Sequence, residues 1–253
     1  LLMELAEELE RDIQDMTKMA VKFLQVRIPS SFEMLKRVSA ASVWIAQQLA
    51  EFETEEIRDI EIAAYLSQVG KVFLPDELID YPVQIYGQPT NKIMYQVPST
   101  ARDIVSSVHR FKDIGEILYH LYENFDGSGF PERIQSWQIP FGSRIIRVAL
   151  DYEILRTLRN KKAREILEVL KSEVKRLYDH RVVILMEHYV KSVTKEEFDP
   201  NETAVKLQNL VEGMIITRDI ITNSGMKLMT TGNQLTEKNI DRIININSAD
   251  PIL

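Results

Sequence analysis

The sequence predicts a mainly α protein: an N-terminal connector helix, a helical domain and a small C-terminal α+β module. Before Lys195, apolar residues recur with the three-to-four-residue period of helices that bury one face. Clusters such as Pro29-Ser30-Ser31 interrupt that period about once per helix length. Beyond the polar stretch Lys195–Asn201 the pattern changes. Two β-rich runs, 214–222 and 226–230, flank Asn223-Ser224-Gly225, which reads as a hairpin turn.

Taken in order, residues 1–26 form the connector. Leu2, Leu9, Met16 and Phe23 stand seven apart with Leu5 and Met19 between them, a spacing that suits a coiled-coil seam and a homodimer through this helix. Ile13 and Ala20 widen the stripe, which suits a helix laid on its own domain equally well. A second helix follows Ser30-Ser31 and runs to about Phe52. Thr54, with Glu55 and Glu56 behind it, caps a third that Gly70 would stop. Pro75-Asp76 opens a short helix, and residues 80–98, with Pro82, Gly87, Pro89 and Pro98, form the longest irregular stretch. Helices are expected from Ser99 to about His109, from Asp113 to about Asn124, and over 142–158, 161–178 and 180–195. Thr236 would cap the closing helix. The predicted domains are therefore 1–26, 27–198 and 199–253.

Composition narrows the function. Of 253 residues, 45% are apolar, enough for a sizeable core, yet no segment approaches the ~20 consecutive apolar residues that span a bilayer. The absence of cysteine excludes disulfides and thiolate metal sites and fits a reducing, cytoplasmic setting. A net charge of −7 argues against nucleic acid as a partner, and nothing indicates a membrane. No signal-peptide pattern opens the chain; Leu1 falls inside a helical pattern, so the native chain is expected to continue upstream.

The chemistry concentrates around Asp126-Gly127-Ser128-Gly129-Phe130-Pro131, a loop between two apolar-periodic helices. Together with AAYLSQVGKVFLPDELI, YQVPSTARDIV and VALDYEIL, this run resembles the HD-GYP family over about Arg27 to Tyr189. The resemblance implies an HD-type helical bundle, a bacterial signalling role as the output part of a two-component response regulator, and hydrolysis of cyclic di-GMP at a metal centre. It places the family's metal ligands at Met34, Ser67, Gln68, Val97, Leu121, Tyr122 and Leu150, none of which carries an imidazole or a carboxylate. Without metal-activated water the family's phosphodiester chemistry loses its nucleophile and its charge clamp together. The sequence therefore predicts a degenerate domain: no enzyme, no catalytic residue, no metal or other cofactor, and action through other signalling proteins.

Other roles remain open for several residues. Lys71 matches a lysine that stands beside the phosphate in the family, and it also reads as a solvated lysine. Arg144 and Arg147 suit an anion, or surface salt bridges. With Lys71 and Arg144 the site would serve as a receptor for cyclic di-GMP. His120 and Glu123, at i and i+3, with Asp126 and Asp151 offer a displaced metal site for an active phosphodiesterase, or else a surface histidine and a helix-end acid. Asp151, one position from the family's ligand, is expected to turn ~100° away from the site. Gly127, Ser128, Gly129, Phe130, Pro131 and Trp137 form a candidate interaction loop, since large apolar side chains anchor interfaces; both rings could instead fold onto their own core.

Overall fold

A computed structural model describes residues 2–49, 51–159, 161–194 and 205–252. The polar linker expected at 195–201 lies outside them, as do the side chains of Leu2, Leu5 and Leu9.

Ten helices carry the architecture of the described residues. Helix α1 (Leu2–Arg27) lays Val21 and Leu24 on the body, while Met16, Met19, Phe23 and Val26 face outward. The apolar residues of α1 thus divide between two faces, and the heptad positions Met16, Met19 and Phe23 belong to the outer one. Arg27 ends the helix by donating to Val72 O, Leu74 O and Asp76. Helices α2 (Phe32–Gln48) and α3 (Thr54–Leu66) pack side by side, with α7 (Phe141–Arg159) against α2. Helix α2 stops at Gln48, short of the expected Phe52, and α3 is capped by Glu53, not Thr54. Glu53 and Glu56 form a reciprocal capping box, a role that two carboxylates fill as well as a hydroxyl and an acid.

Gly70 serves the close approach of two segments. The α3 helix has already ended at Ser67, and a Cβ on Gly70 would run into the Val97 carbonyl at the start of α5 (Val97–Val105). Helix α5 begins two residues before the expected Ser99, because Pro98 fits a first turn that needs no N–H there. Between them lie α4 (Asp76–Ile79) and a two-residue ladder of β1 (Gln84–Ile85) and β2 (Gln88–Pro89). Helix α6 (Lys112–Tyr119) ends five residues before the expected Asn124, and tight turns carry the chain through Leu121 and Tyr122 to the loop.

Helices α8 (Ala163–Ser172) and α9 (His180–Val193) complete the body, whose single core includes Ile45, Ile60, Met94, Ile114, Ile145, Ile146 and Ile166. The C-terminal part has a core of its own around Leu228, Leu235 and Ile243. It is built from a hairpin of β3 (Ile220–Ile221) and β4 (Lys227–Met229) and from α10 (Glu237–Ala249), capped by Thr236 as expected. Buried Arg181 of α9 joins the two parts, donating to Asn223 O at the hairpin turn and to Glu51. No helix among the described residues is long and apolar enough to cross a membrane.

Candidate functional site

Three elements converge under the Gly-Ser-Gly loop: the end of α3, the turns after α6, and the middle of α7. They bring together Ser67, Gln68, Leu121, Tyr122 and Leu150, all buried, with Val97 next to Gly70. Met34 is half-buried against the same core. Val97, Leu121, Tyr122 and Leu150 are part of that core, so the positions assigned to metal ligands hold packed side chains. The polar members are hydroxyls and an amide. Ser67 Oγ has no hydrogen-bond partner, and the Tyr122 hydroxyl, although adjacent to Gln68, makes no bond of acceptable geometry among the described residues. Burial raises the Tyr122 pKa. This donor set does not fit a cluster of hard metal ions, which needs carboxylates and imidazoles, and no three His, Cys, Asp or Glu residues gather to hold an ion among the described residues.

Beside Leu150 on α7 lies a buried ion pair. Arg147 Nε donates to Asp151 Oδ2 at 2.7 Å, and the Tyr178 hydroxyl donates to the same oxygen at 2.8 Å. Gln84, with its amide oxygen turned toward the guanidinium, accepts from Arg147 Nη2 at 2.7 Å. Arg147 Nη1 reaches Glu123 O at 3.4 Å and Asn124 Oδ1 at 3.5 Å. Burial works against the charge of Arg147, but Asp151 and its neighbours more than offset it and raise the pKa. One expectation changes here: Arg147 is no surface residue. Asp151, expected to turn away from the site, is buried and neutralises that arginine. The signal was legible: an arginine and an aspartate at i and i+4 sit inside the apolar run Ile145, Ile146, Val148, Ala149, Leu150. Gln84 and Tyr178, from distant segments, carried no such signal.

The displaced metal site does not assemble. Glu123 is fully buried and accepts from the backbone N–H groups of Glu132 and Arg133 at 2.7 and 3.1 Å. Its second oxygen has no partner among the described residues. His120 is also buried, with Nδ1 3.9 Å from Glu123. Neither is the surface or helix-end residue that the sequence suggested. Asp126 is engaged by Ser128, whose N–H and hydroxyl both donate to it, and Asp151 by Arg147 and Tyr178.

Arg144 also leaves the list of ligand-binding residues. It is buried, donates to Asp179 at 2.7 Å and to Ile139 O at 3.0 Å, and stacks on Phe141. The loop divides in a similar way. Phe130 is buried between the rings of Tyr122 and Tyr95 and anchors nothing outside. Trp137 is 59% exposed and lies over Arg144 and Arg181. Lys71 is not solvated. It is 4% exposed in the turn after α3, and burial lowers its pKa to about 8, with Asp80 the opposing influence. Asp80 is the acid whose charge acts on it, and burial outweighs that influence. Lys71 is therefore a buried cation beside Ser67 and Gln68.

Residues 18–182 match the family model described as HD domain. The chain is 30% identical over 189 residues to the cyclic di-GMP phosphodiesterase response regulator RpfG of Xanthomonas campestris pv. campestris, covering 72% of this chain and 49% of that protein. It is 30% identical over 147 residues to the 3'3'-cGAMP-specific phosphodiesterase 2 of Vibrio cholerae, covering 56% of this chain and 28% of that protein. It is 27% identical over 212 residues to a cyclic di-GMP phosphodiesterase of Thermotoga maritima, covering 79% and 57%. A crystal structure of a cyclic GMP-AMP-specific phosphodiesterase of V. cholerae superposes with a TM-score of 0.55 at 15% identity, over 69% of this chain and 47% of that one. The chain thus spans about half the length, or less, of the first of these relatives. The expectation of a protein that is no enzyme is corrected by these comparisons: the relatives are named as phosphodiesterases, and a changed ligand set does not exclude catalysis by their kin.

Proposed function

This chain belongs to the HD domain family, and on that premise we propose that it recognises a cyclic dinucleotide through Lys71. The observation that carries this reading is the state of that lysine. A buried ammonium is costly to the fold, and here burial outweighs the favourable charge of Asp80; such an ammonium forms its strongest hydrogen bonds to an anionic oxygen. The relatives named above act on cyclic di-GMP or 3'3'-cGAMP, both of which present two phosphodiester groups. Arg144 contributes nothing to the reading, because Asp179 already holds it.

Calorimetry with cyclic di-GMP and with 3'3'-cGAMP tests the proposal. Binding is expected for at least one of them at pH 7, with weaker affinity at pH 9, where Lys71, with a pKa of about 8, has lost most of its charge. Lys71→Met is expected to remove binding. The reading fails if neither dinucleotide gives heat at high protein concentration, or if Lys71→Met binds as well as the unaltered chain. Chromatography of the same mixtures for the linear dinucleotide decides whether recognition leads on to hydrolysis.

A further inference from the structure

We infer that the guanidinium of Arg147 is a built-in cation that does, in this chain, the organising work of a metal, and that it keeps divalent ions out of the centre. Its side chain is 3% exposed and reaches the junction of the three converging elements. Around it stand the acceptors that a central cation would gather: Asp151 from α7, Gln84 from β1, Glu123 O and Asn124 from the turn before the loop. Tyr178 closes the shell by donating to Asp151. Leu150, three residues along the same helix, and Tyr122, whose ring carries the stack on Phe130, fill the space beside it.

Charge accounts for the exclusion. One guanidinium and one carboxylate already neutralise each other, so a divalent ion would add two positive charges beside a buried cation, where Asp151 is paired with Arg147 and Glu123 is held through one oxygen by the N–H groups of residues 132 and 133. Ser67, Gln68 and Tyr122, buried beside Leu121 and Leu150, are neutral donors and acceptors. The inference stands apart from dinucleotide recognition, since it concerns Arg147 and a metal, whereas that reading concerns Lys71 and a phosphate.

Calorimetric titration of the chelator-treated chain with Mn2+ alone is expected to give no saturable heat, and Mn2+ is expected to leave Tm unchanged. Arg147→Met is expected to lower Tm by about 10 °C, because it leaves Asp151 as a buried carboxylate without a counter-charge. Arg147→Met combined with Asp151→Leu is expected to recover at least about half of that loss, since it removes the orphaned charge as well. Saturable binding of Mn2+ by the unaltered chain overturns the inference, as does a double variant no more stable than Arg147→Met. Should Arg147→Met fail to fold, a folded double variant supports the inference and an unfolded one counts against it.

Discussion

The Gly-Ser-Gly loop and the centre beneath it meet at Glu123-Asn124, yet they have been kept in different ways. The loop is held by backbone bonds and by the side chains of Glu123, Asn124 and Asp126. Phe130 N–H donates to Tyr122 O, Phe125 and Asp126 N–H to Leu177 O and Arg176 O, and Glu123 fastens residues 132 and 133 from inside. Its two glycines serve different needs. Gly127 adopts φ +83, which side chains resist, while Gly129 lies so close to Glu123 and Asn124 that any Cβ would collide with their backbone. None of this requires a metal. The centre is held by side chains, among them Val97, Leu121 and Leu150 of the core and the buried pair of Arg147 and Asp151. A loop shaped by its own bonds does not depend on the chemistry below it, so its sequence identifies a family more firmly than a reaction.

The comparison is tested most severely in the centre. Leu150 is fully buried at one of the positions the family resemblance gives to a ligand. If the centre is now core, Leu150→Ala should cost about 4 kcal/mol, as a cavity in a close-packed interior does. Chemical denaturation measures it, and a loss under about 1 kcal/mol would mean that the position lines open space. In the loop, Gly129→Ala should cost about 3 kcal/mol, since the obstacle is backbone that cannot move aside. If the variant is as stable as the unaltered chain, the loop is looser than its hydrogen bonds indicate.

The sequence made the helical domain, the hairpin and the Thr236 cap legible because each rests on a local pattern: a period, a turn pair or a hydroxyl before a helix. Gly70 and Glu123 were misread for the opposite reason. Their roles come from Val97 O and from the N–H groups of residues 132 and 133, which no spacing in the sequence announces. The substituted ligand positions were plain once the family was seen, but the sequence could not say what balances the charge there. Arg147 and Asp151 lay in an apolar helix face as an overlooked clue, while Gln84 and Tyr178 join them only through tertiary folding. Arg144 shows the limit of reading a cation as a binder. It was chosen for its charge, and Asp179, thirty-five residues away, had already claimed it.

Lys71 gives the smallest effect and the one that sharpens the contrast, because burial outweighs the influence of Asp80 on its charge. Its pKa falls from 10.5 to about 8, chiefly through burial. Between those values the unfolded chain keeps a proton that the folded chain has released, so stability rises with pH across that window and this group is most unfavourable below pH 8. A lowering of that size corresponds to about 3 kcal/mol at neutral pH. Lys71→Met should therefore raise stability by about 2 kcal/mol at pH 7, part of the gain being spent in refitting the aliphatic stem, and it should flatten the rise between pH 8 and 10. Denaturation midpoints of both proteins at pH 7 and pH 10 decide the matter. Equal slopes would place the ammonium in water. A steeper slope in the unaltered chain would mean that the fold tolerates a destabilising cation beside Ser67 and Gln68.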